Sequence, residues 1–351
     1  MEILNYLGDE IYLFVLISIM MVSGMAKEHG IFAGTYGFLK SKFKSNRVVI
    51  MLLSFVSGIL PIEGRATVSA GILDTATGPN GDNASRKKLG IIDFLTTHHF
   101  YMWSPIEKPV LLPMAAFGLG YAAWVEMIWP LLLVSGMFIV LYCWLAVDEH
   151  EVEIAECPES NTLWNFIKTT LPFLIAIFSY MALGGEGPEL VFPIFGALLV
   201  YYIVLTKTFD ISKLLSYTNW TTVAIVAVVF ASSGYMQEHR AWFEEGVKSI
   251  GLDMHTFKGV FYISLLTFLA SFSMGSDGKF AALTVLMASA FGKEYLLWFF
   301  ALDYCGYLLT PMHECVMIGK RYFGTSLTTY YTALIAWAVL LLTVAGVFTF
   351  L

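Results

Sequence analysis

A chain of 351 residues that is 58% hydrophobic and only 13% charged, with a mean hydropathy of +0.71, cannot cover a water-facing surface, because a soluble domain carries about 25% charge. Lipid is the remaining solvent, and there only helices and closed barrels satisfy their own backbone polar groups. The apolar runs have helix-spanning length and lack barrel-type alternation, so an all-α membrane protein is expected; the net charge of −7 says little about partners, and no nucleic acid is expected among them.

The acidic amino terminus, with Glu2, Asp9 and Glu10, leads directly into the first apolar span, so no cleavable signal is expected. Unbroken spans are expected at about 9–27, 124–146, 165–184, 188–206, 218–236 and 327–350. Four other apolar stretches are interrupted. Residues 49–78 break at Pro61-Ile62-Glu63-Gly64-Arg65, and 94–120 break at Ser104-Pro105. Residues 258–292 break at Gly275-Ser276-Asp277-Gly278-Lys279, and 295–320 break at Thr310-Pro311. Glycine, proline and charge at mid-membrane depth are tolerated only where backbone is buried in protein or lines a wet cavity. Re-entrant hairpins and unwound helices are therefore expected at these four places.

The breaks recur in order. Ser23-Gly24 followed by Glu28-His29 ends the first span, and Ser233-Gly234 followed by Glu238-His239 ends a later one. Glu63-Gly64-Arg65 is then matched by Asp277-Gly278-Lys279, and Ser104-Pro105 by Thr310-Pro311. Matched positions lie 210 residues apart (Ser23 to Ser233), 214 (Gly64 to Gly278) and 206 (Ser104 to Thr310). The basic residues Lys40, Lys42, Lys44 and Arg47, then Arg86, Lys87 and Lys88, flank the first hairpin and assign both its ends to the cytoplasm. Threading onward puts Lys207, Lys213, Lys320 and Arg321 inside and both termini outside, so matched spans cross in opposite senses. That is an inverted-topology repeat, a pattern of many secondary transporters. It divides the chain into a first repeat (1–150), a linker with two scaffold helices (151–210) and a second repeat (211–351). The expected fold has about eight spanning helices, two of them unwound, and two re-entrant hairpins.

Ser104-Pro105 and Thr310-Pro311 each read as an N-cap followed by proline at the first helical position. Each would start a half-helix whose positive dipole end suits an anionic group, beside unwound carbonyls that suit Na⁺. At the hairpin tips, Gly64 and Gly278 permit a tight turn, and Glu63 with Arg65, or Asp277 with Lys279, either contacts a ligand or forms an internal ion pair. Glu107 and Glu314 are candidates to carry a proton or Na⁺, and His313 titrates near neutrality. Thr67, Ser69, Ser271, Ser273, Ser276 and Thr310 supply hydroxyls for ligand or sodium contact, or for helix packing. Asp303, beside Tyr304 and Tyr307, is an acid within an apolar span and a functional candidate on that ground. Glu28-His29 and Glu238-His239 read as interfacial caps. His98-His99 with His313 invites a metal reading, but three or four matched ligands are needed and the others are scattered, so no metal is expected. Cys143, Cys157, Cys305 and Cys315 read as reduced, packed thiols. No GxxxxGK[ST] motif is present, which argues against ATP drive from this chain.

The runs 58–73, around Pro61-Ile62-Glu63-Gly64-Arg65, and 309–324, around Thr310-Pro311-Met312-His313-Glu314, resemble a prokaryotic integral membrane family of about ten predicted spans. That family is grouped in the ion transporter superfamily, alongside gluconate permeases, citrate and dicarboxylate carriers and arsenite exporters. The resemblance implies an elevator-type fold, often homodimeric, that moves small anions with Na⁺ or H⁺. Two departures stand out: a pair of amino-terminal scaffold helices is missing, and the Glu63-Gly64-Arg65 tip is more charged than in these relatives. The hydroxyl-rich tripeptide that binds carboxylate in dicarboxylate carriers is also absent, so their substrate does not carry over.

The function expected is that of a secondary active transporter of a small anionic or zwitterionic solute, coupled to Na⁺ or H⁺, in a prokaryotic cytoplasmic membrane. It would not be an enzyme and would need no cofactor. The alternatives are a cation/proton antiporter using Glu63, Glu107, Asp277 and Glu314, and a non-transporting membrane-embedded enzyme or subunit.

Overall fold

The computed structural model describes residues 10–28, 38–39, 41–58, 69–70, 73–74, 84–105, 107–148, 162–182, 188–251, 253, 256–274, 281–311 and 313–351. Among them there are helices, turns and loops but no strand. In chain order the helices are α1 (Glu10–Glu28), α2 (Asn46–Gly58), α3 (Ala84–Trp103), α4 (Lys108–Phe117), α5 (Tyr121–Ala146), α6 (Thr162–Thr169), α7 (Leu171–Ala182) and α8 (Pro188–Thr206). They continue as α9 (Ile211–Ser216), α10 (Trp220–Glu238), α11 (Arg240–Ser249), α12 (Phe257–Met274), α13 (Ala282–Phe291), α14 (Leu296–Leu309), α15 (Glu314–Phe323) and α16 (Leu327–Phe350).

The interruptions expected at Ser104-Pro105 and Thr310-Pro311 are present, separating α3 from α4 and α14 from α15. The span expected over 165–184 is divided, with α6 ending at Thr169 and α7 starting at Leu171 just ahead of Pro172. Proline lacks an N–H, and its ring excludes the carbonyl four residues back, so a helix boundary falls there at little cost.

Among the described residues three helices, α5, α10 and α16, are long and apolar enough to cross a membrane, with mean hydropathies of 2.1, 1.2 and 2.4. Their outward faces are apolar. On α5, Leu133, Met137, Leu141 and Leu145 recur every fourth residue and are all exposed; on α16, Ile335, Val339, Leu340, Val347 and Phe348 are exposed. Meanwhile Asp93, His98, Glu107, Asp303 and His313 are buried. A soluble protein shows the reverse arrangement and rarely exposes large contiguous apolar patches. The all-helical fold therefore fits a membrane protein.

Two helices form the centre. Nearly every side chain of α14 from Leu296 to Leu308, and of α3 from Leu89 to His98, is buried, which is the pattern of a helix surrounded by protein on all sides. Helix α2 packs on α3 and α12 on α14; α5 then flanks α3 as α16 flanks α14, and α5 meets α16. Helix α15 lies against α3.

At that last contact the chain needs glycine. A Cβ on Gly319 of α15 would run into the Tyr330 ring, with its Cζ only 2.8 Å away and the hydroxyl closer still. Tyr330 is wholly buried on α16, and its hydroxyl donates to the Gly90 carbonyl of α3 at 2.5 Å. One ring thus ties three helices. Gly319→Ala is expected to displace it and cost about 1–3 kcal/mol of stability through overpacking and the lost hydrogen bond. Tyr330→Phe removes the nearest clashing atom, so Gly319→Ala should cost less in the Tyr330→Phe background. Thermal unfolding of the four proteins of this cycle checks it, and strict additivity would refute the shared contact.

Candidate functional site

Each helix break is built the same way. The residue before a proline is pushed out of helical conformation, and Thr310 ends α14 with φ −61° and ψ 134°. The serine or threonine then becomes the first residue of a turn with proline second, the position proline prefers. The Glu107 amide donates to the Ser104 carbonyl at 3.0 Å, and the His313 amide to the Thr310 carbonyl at 3.2 Å. The new helices therefore begin later than the sequence pattern suggests. Ser104 and Thr310 open the turns, whereas Glu107 and His313 are the N-cap residues of α4 and α15. Pro105 lies in the first turn, and the proline at the start of α4 is Pro109. Neither N-cap side chain bonds its own helix's amides.

Ser104 and Thr310 are fully buried, Glu107 is 6% exposed and His313 2%, while Pro311 and Glu314 face outward. Ser69 is buried and donates its hydroxyl to Asp93. The hairpin-tip candidates Glu63, Gly64, Arg65 and Thr67, and likewise Ser276, Asp277, Gly278 and Lys279, lie outside the described residues.

The most densely bonded acid is Asp303, in the middle of α14. Its Oδ1 accepts from Ser271 Oγ of α12 at 2.7 Å. Its Oδ2 accepts from the Ala281 amide (3.0 Å), the Thr284 amide (3.0 Å) and Thr284 Oγ1 (2.8 Å). Ala281 is the N-cap of α13 and sits in the left-handed region, at φ 68°. That conformation costs a non-glycine residue about 1–2 kcal/mol, and Ala281 has no side chain that could cap the helix. Asp303 supplies the cap from another helix and ties α12, α13 and α14 together. Such complete engagement gives Asp303 an architectural role that its place in an apolar span did not specify.

Asp93 is the counterpart that sequence reasoning missed. It is buried in α3 and accepts from Ser69, which follows Glu63-Gly64-Arg65 in the sequence. It lies 210 residues before Asp303, the spacing that separates Ser23 from Ser233. An acid in an otherwise apolar stretch was the available signal, and the repeat spacing would have pointed to it.

Between α3, α14 and α15 the side chains converge on two imidazoles. The rings of His98 and His313 are 4.9 Å apart. Phe94 stacks on His98 at 3.9 Å and meets His313 edge-on at 4.9 Å; Tyr307 lies 4.5 Å from His313 and Tyr101 5.2 Å from His98. Tyr304 of α14 donates to the His98 carbonyl at 2.8 Å, which fixes α3 against α14. Cys315 lies beside the pair; its Sγ and the imidazole donor atoms are all within 4.8 Å of one another. His99, adjacent in sequence, is about 100° round the helix and bonds Ser135 of α5 at 2.9 Å.

Of the paired Glu-His positions, Glu28, Glu238 and His239 are peripheral, and His29 lies outside the described residues. Glu28 is exposed and bonds Lys213 and Tyr217, both at 2.5 Å, while His239 stacks on Tyr235 at 4.3 Å. Cys143, Cys305 and Cys315 are free thiols, the first two buried, and Cys157 lies outside the described residues.

Residues 4–350 match the family model described as "Protein of unknown function (DUF401)". The chain belongs to the DUF401 family. No curated protein matches it. Membership in DUF401 spans both helix breaks and the His98–His313–Cys315 cluster, so these features lie within the family's own domain and not in an appended segment.

Asp303→Ala would leave the Ala281 and Thr284 amides and the Thr284 hydroxyl without their acceptor, whereas Ser271 keeps its second bond, to the Asp303 carbonyl at 2.6 Å. At about 1–3 kcal/mol for each buried orphan, a loss of at least about 3 kcal/mol is expected. Asp303→Asn retains one oxygen and should lose less. Labelling of the buried Cys305 by a thiol-reactive dye during heating reports the transition. Equal midpoints for wild type and Asp303→Ala would contradict the capping role.

Proposed function

We propose that this protein is a secondary active transporter of a small anionic or zwitterionic solute, driven by Na⁺ or H⁺. The observation that carries the reading is the pair of interrupted helices whose second halves, α4 and α15, restart beside buried cap residues, Glu107 and His313. A helix start presents a positive dipole end, and an interior one is a ready anion site. Backbone broken at this depth is characteristic of binding sites in transporters built from inverted repeats.

Several features support the repeat. Each half has a helix (α2 or α12) packed on an interrupted helix (α3 or α14), and that interrupted helix carries an acid bonded to a hydroxyl residue, Ser69 or Thr284, that follows the expected hairpin tip in sequence. Each ends in a long apolar helix, α5 or α16, and these two touch. In this reading the hairpins and interrupted helices move together, held by Asp93 and Asp303. The remaining helices, α6 to α8 among them, form a scaffold, and two copies pair in a prokaryotic cytoplasmic membrane with both termini outside. The grouping with the ion transporter superfamily belongs to the same proposal, as does the absence of enzymatic activity.

A second reading, cation/proton exchange, is favoured by Glu107. Its carboxylate is buried at the start of α4, the place where the first reading seats an anion.

Proteoliposomes separate the two. Under an inward Na⁺ or proton gradient, the transporter should accumulate one class of labelled small anion, and that solute should raise the thermal midpoint of the purified protein. At a hundred times its dissociation constant a ligand adds about 2.7 kcal/mol. Arg65→Ala or Lys279→Ala should abolish both effects. Na⁺/H⁺ exchange with no anion flux, lost in Glu107→Gln, would transfer the assignment to the antiporter. Folded protein showing neither flux would reject transport altogether.

A further inference from the structure

We propose that His98, His313 and Cys315 bind a single transition-metal cation of the zinc class where α15 crosses α3. The site shares His313 with the transport reading but does not rest on it, because it needs only that these three side chains close on one ion.

The donor set is the first argument. Two imidazoles and one thiol, with ligand atoms all within 4.8 Å of one another, match the nitrogen and sulfur preference of Zn²⁺ and its neighbours. Na⁺, Mg²⁺ and Ca²⁺ take oxygen and would find little here. A tetrahedral zinc ion, with bonds of about 2.0 Å to nitrogen and 2.3 Å to sulfur, holds its ligand atoms roughly 3.3–3.6 Å apart. Closing the cluster therefore asks for shifts of about an ångström, within the reach of side-chain torsions.

The tautomer of His98 is the second argument. Its Nδ1 lies 2.8 Å from the Phe94 carbonyl oxygen, which can only accept, so Nδ1 carries the proton. The Nε2 lone pair is then the one presented to a ligand. A histidine anchored through one nitrogen to a backbone carbonyl and offering the other to the metal is the usual way such ligands are oriented. Phe94, stacked at 3.9 Å with an interplanar angle of 8°, holds the ring in that plane.

The third is position in the fold. His313 is the N-cap of the ten-residue helix α15, and Cys315 lies in its first turn. The positive end of the helix is therefore next to the sulfur and favours the thiolate that a metal requires. The buried imidazoles come from opposite sides of the crossing, so an ion would bridge α3 to α15 independently of the Tyr330 tie. Three protein ligands leave the fourth position open to water, as in zinc sites that exchange ligands.

The test uses the full chain, purified in detergent and stripped with chelator. Titration with Co²⁺, a spectroscopic stand-in for Zn²⁺, should saturate at one ion per chain. It should develop visible d–d bands and a near-ultraviolet thiolate-to-metal charge-transfer band, and Zn²⁺ should erase both. Cys315→Ser should lose the charge-transfer band and weaken binding by at least about tenfold. Cys315→His should bind without that band. His98→Phe, which keeps a flat ring against Phe94, should bind at least about tenfold more weakly while its metal-free thermal midpoint stays near that of wild type. Cys143→Ser, which alters a buried thiol elsewhere, should behave as wild type. Folded wild-type protein that develops no charge-transfer band, or a band that survives Cys315→Ser, overturns the proposal. No flux enters the readout, so failure here and failure of the transport reading are separate results.

Discussion

A carboxylate with four donors on it is the point from which the second half of this structure is organised. Helix α12 exposes apolar side chains and α13 is packed between its neighbours, and in so apolar a setting an unpaired backbone amide costs several kcal/mol. The start of α13 is the weak place, since its N-cap is an alanine in the left-handed region. Asp303 answers from a different helix, taking two amides and one hydroxyl of α13 on one oxygen and a hydroxyl of α12 on the other. The central helix α14 thereby sets the position of both its neighbours. Asp93 and Ser69 make the related contact in the first half.

That constraint also explains why the middle of the molecule can be irregular. Once each interrupted helix is anchored by an acid upstream of its break, the break itself can be spent on a turn. Ser104 and Thr310 supply the turn's carbonyl, and the next helix restarts three residues on, at Glu107 and His313. Ser104, Glu107, Thr310 and His313 are all buried. His313 meets His98 where α3, α14 and α15 come together, walled by Phe94, Tyr101 and Tyr307. An apolar exterior with a polar, aromatic-lined centre is the inverse of a soluble protein's distribution and concentrates chemistry at one depth.

The transport reading and the metal reading draw on different parts of this centre. The first rests on backbone, namely two helix starts and their dipoles. The second rests on side chains, namely two imidazoles and a thiol. They meet at His313, which caps α15 and is also one of the three donors. An ion bridging α3 to α15 would hold the second break against the first interrupted helix.

The sequence by itself determined the helical class and the location of the two helix breaks at Ser104-Pro105 and Thr310-Pro311. These follow from local rules: apolar run length, the missing N–H of proline, and the exclusion of the pre-proline residue from helical conformation. The 210-residue spacing of Ser23 and Ser233 already contained Asp93 and Asp303 as a pair, although only the second drew notice as an acid in an apolar span. Tertiary structure alone decided the rest. The cap residues moved from Ser104 and Thr310 to Glu107 and His313 because the turn hydrogen bond takes up the intervening residues. Asp303 became a clamp because Ala281 and Thr284, about twenty positions away, turn their amides toward it. His98 and His313 are 215 residues apart in sequence, and no period or spacing rule links them to each other or to Cys315. Only the crossing of α15 over α3 brings those rings to 4.9 Å, since such proximity is a property of packed surfaces and not of neighbours along the chain.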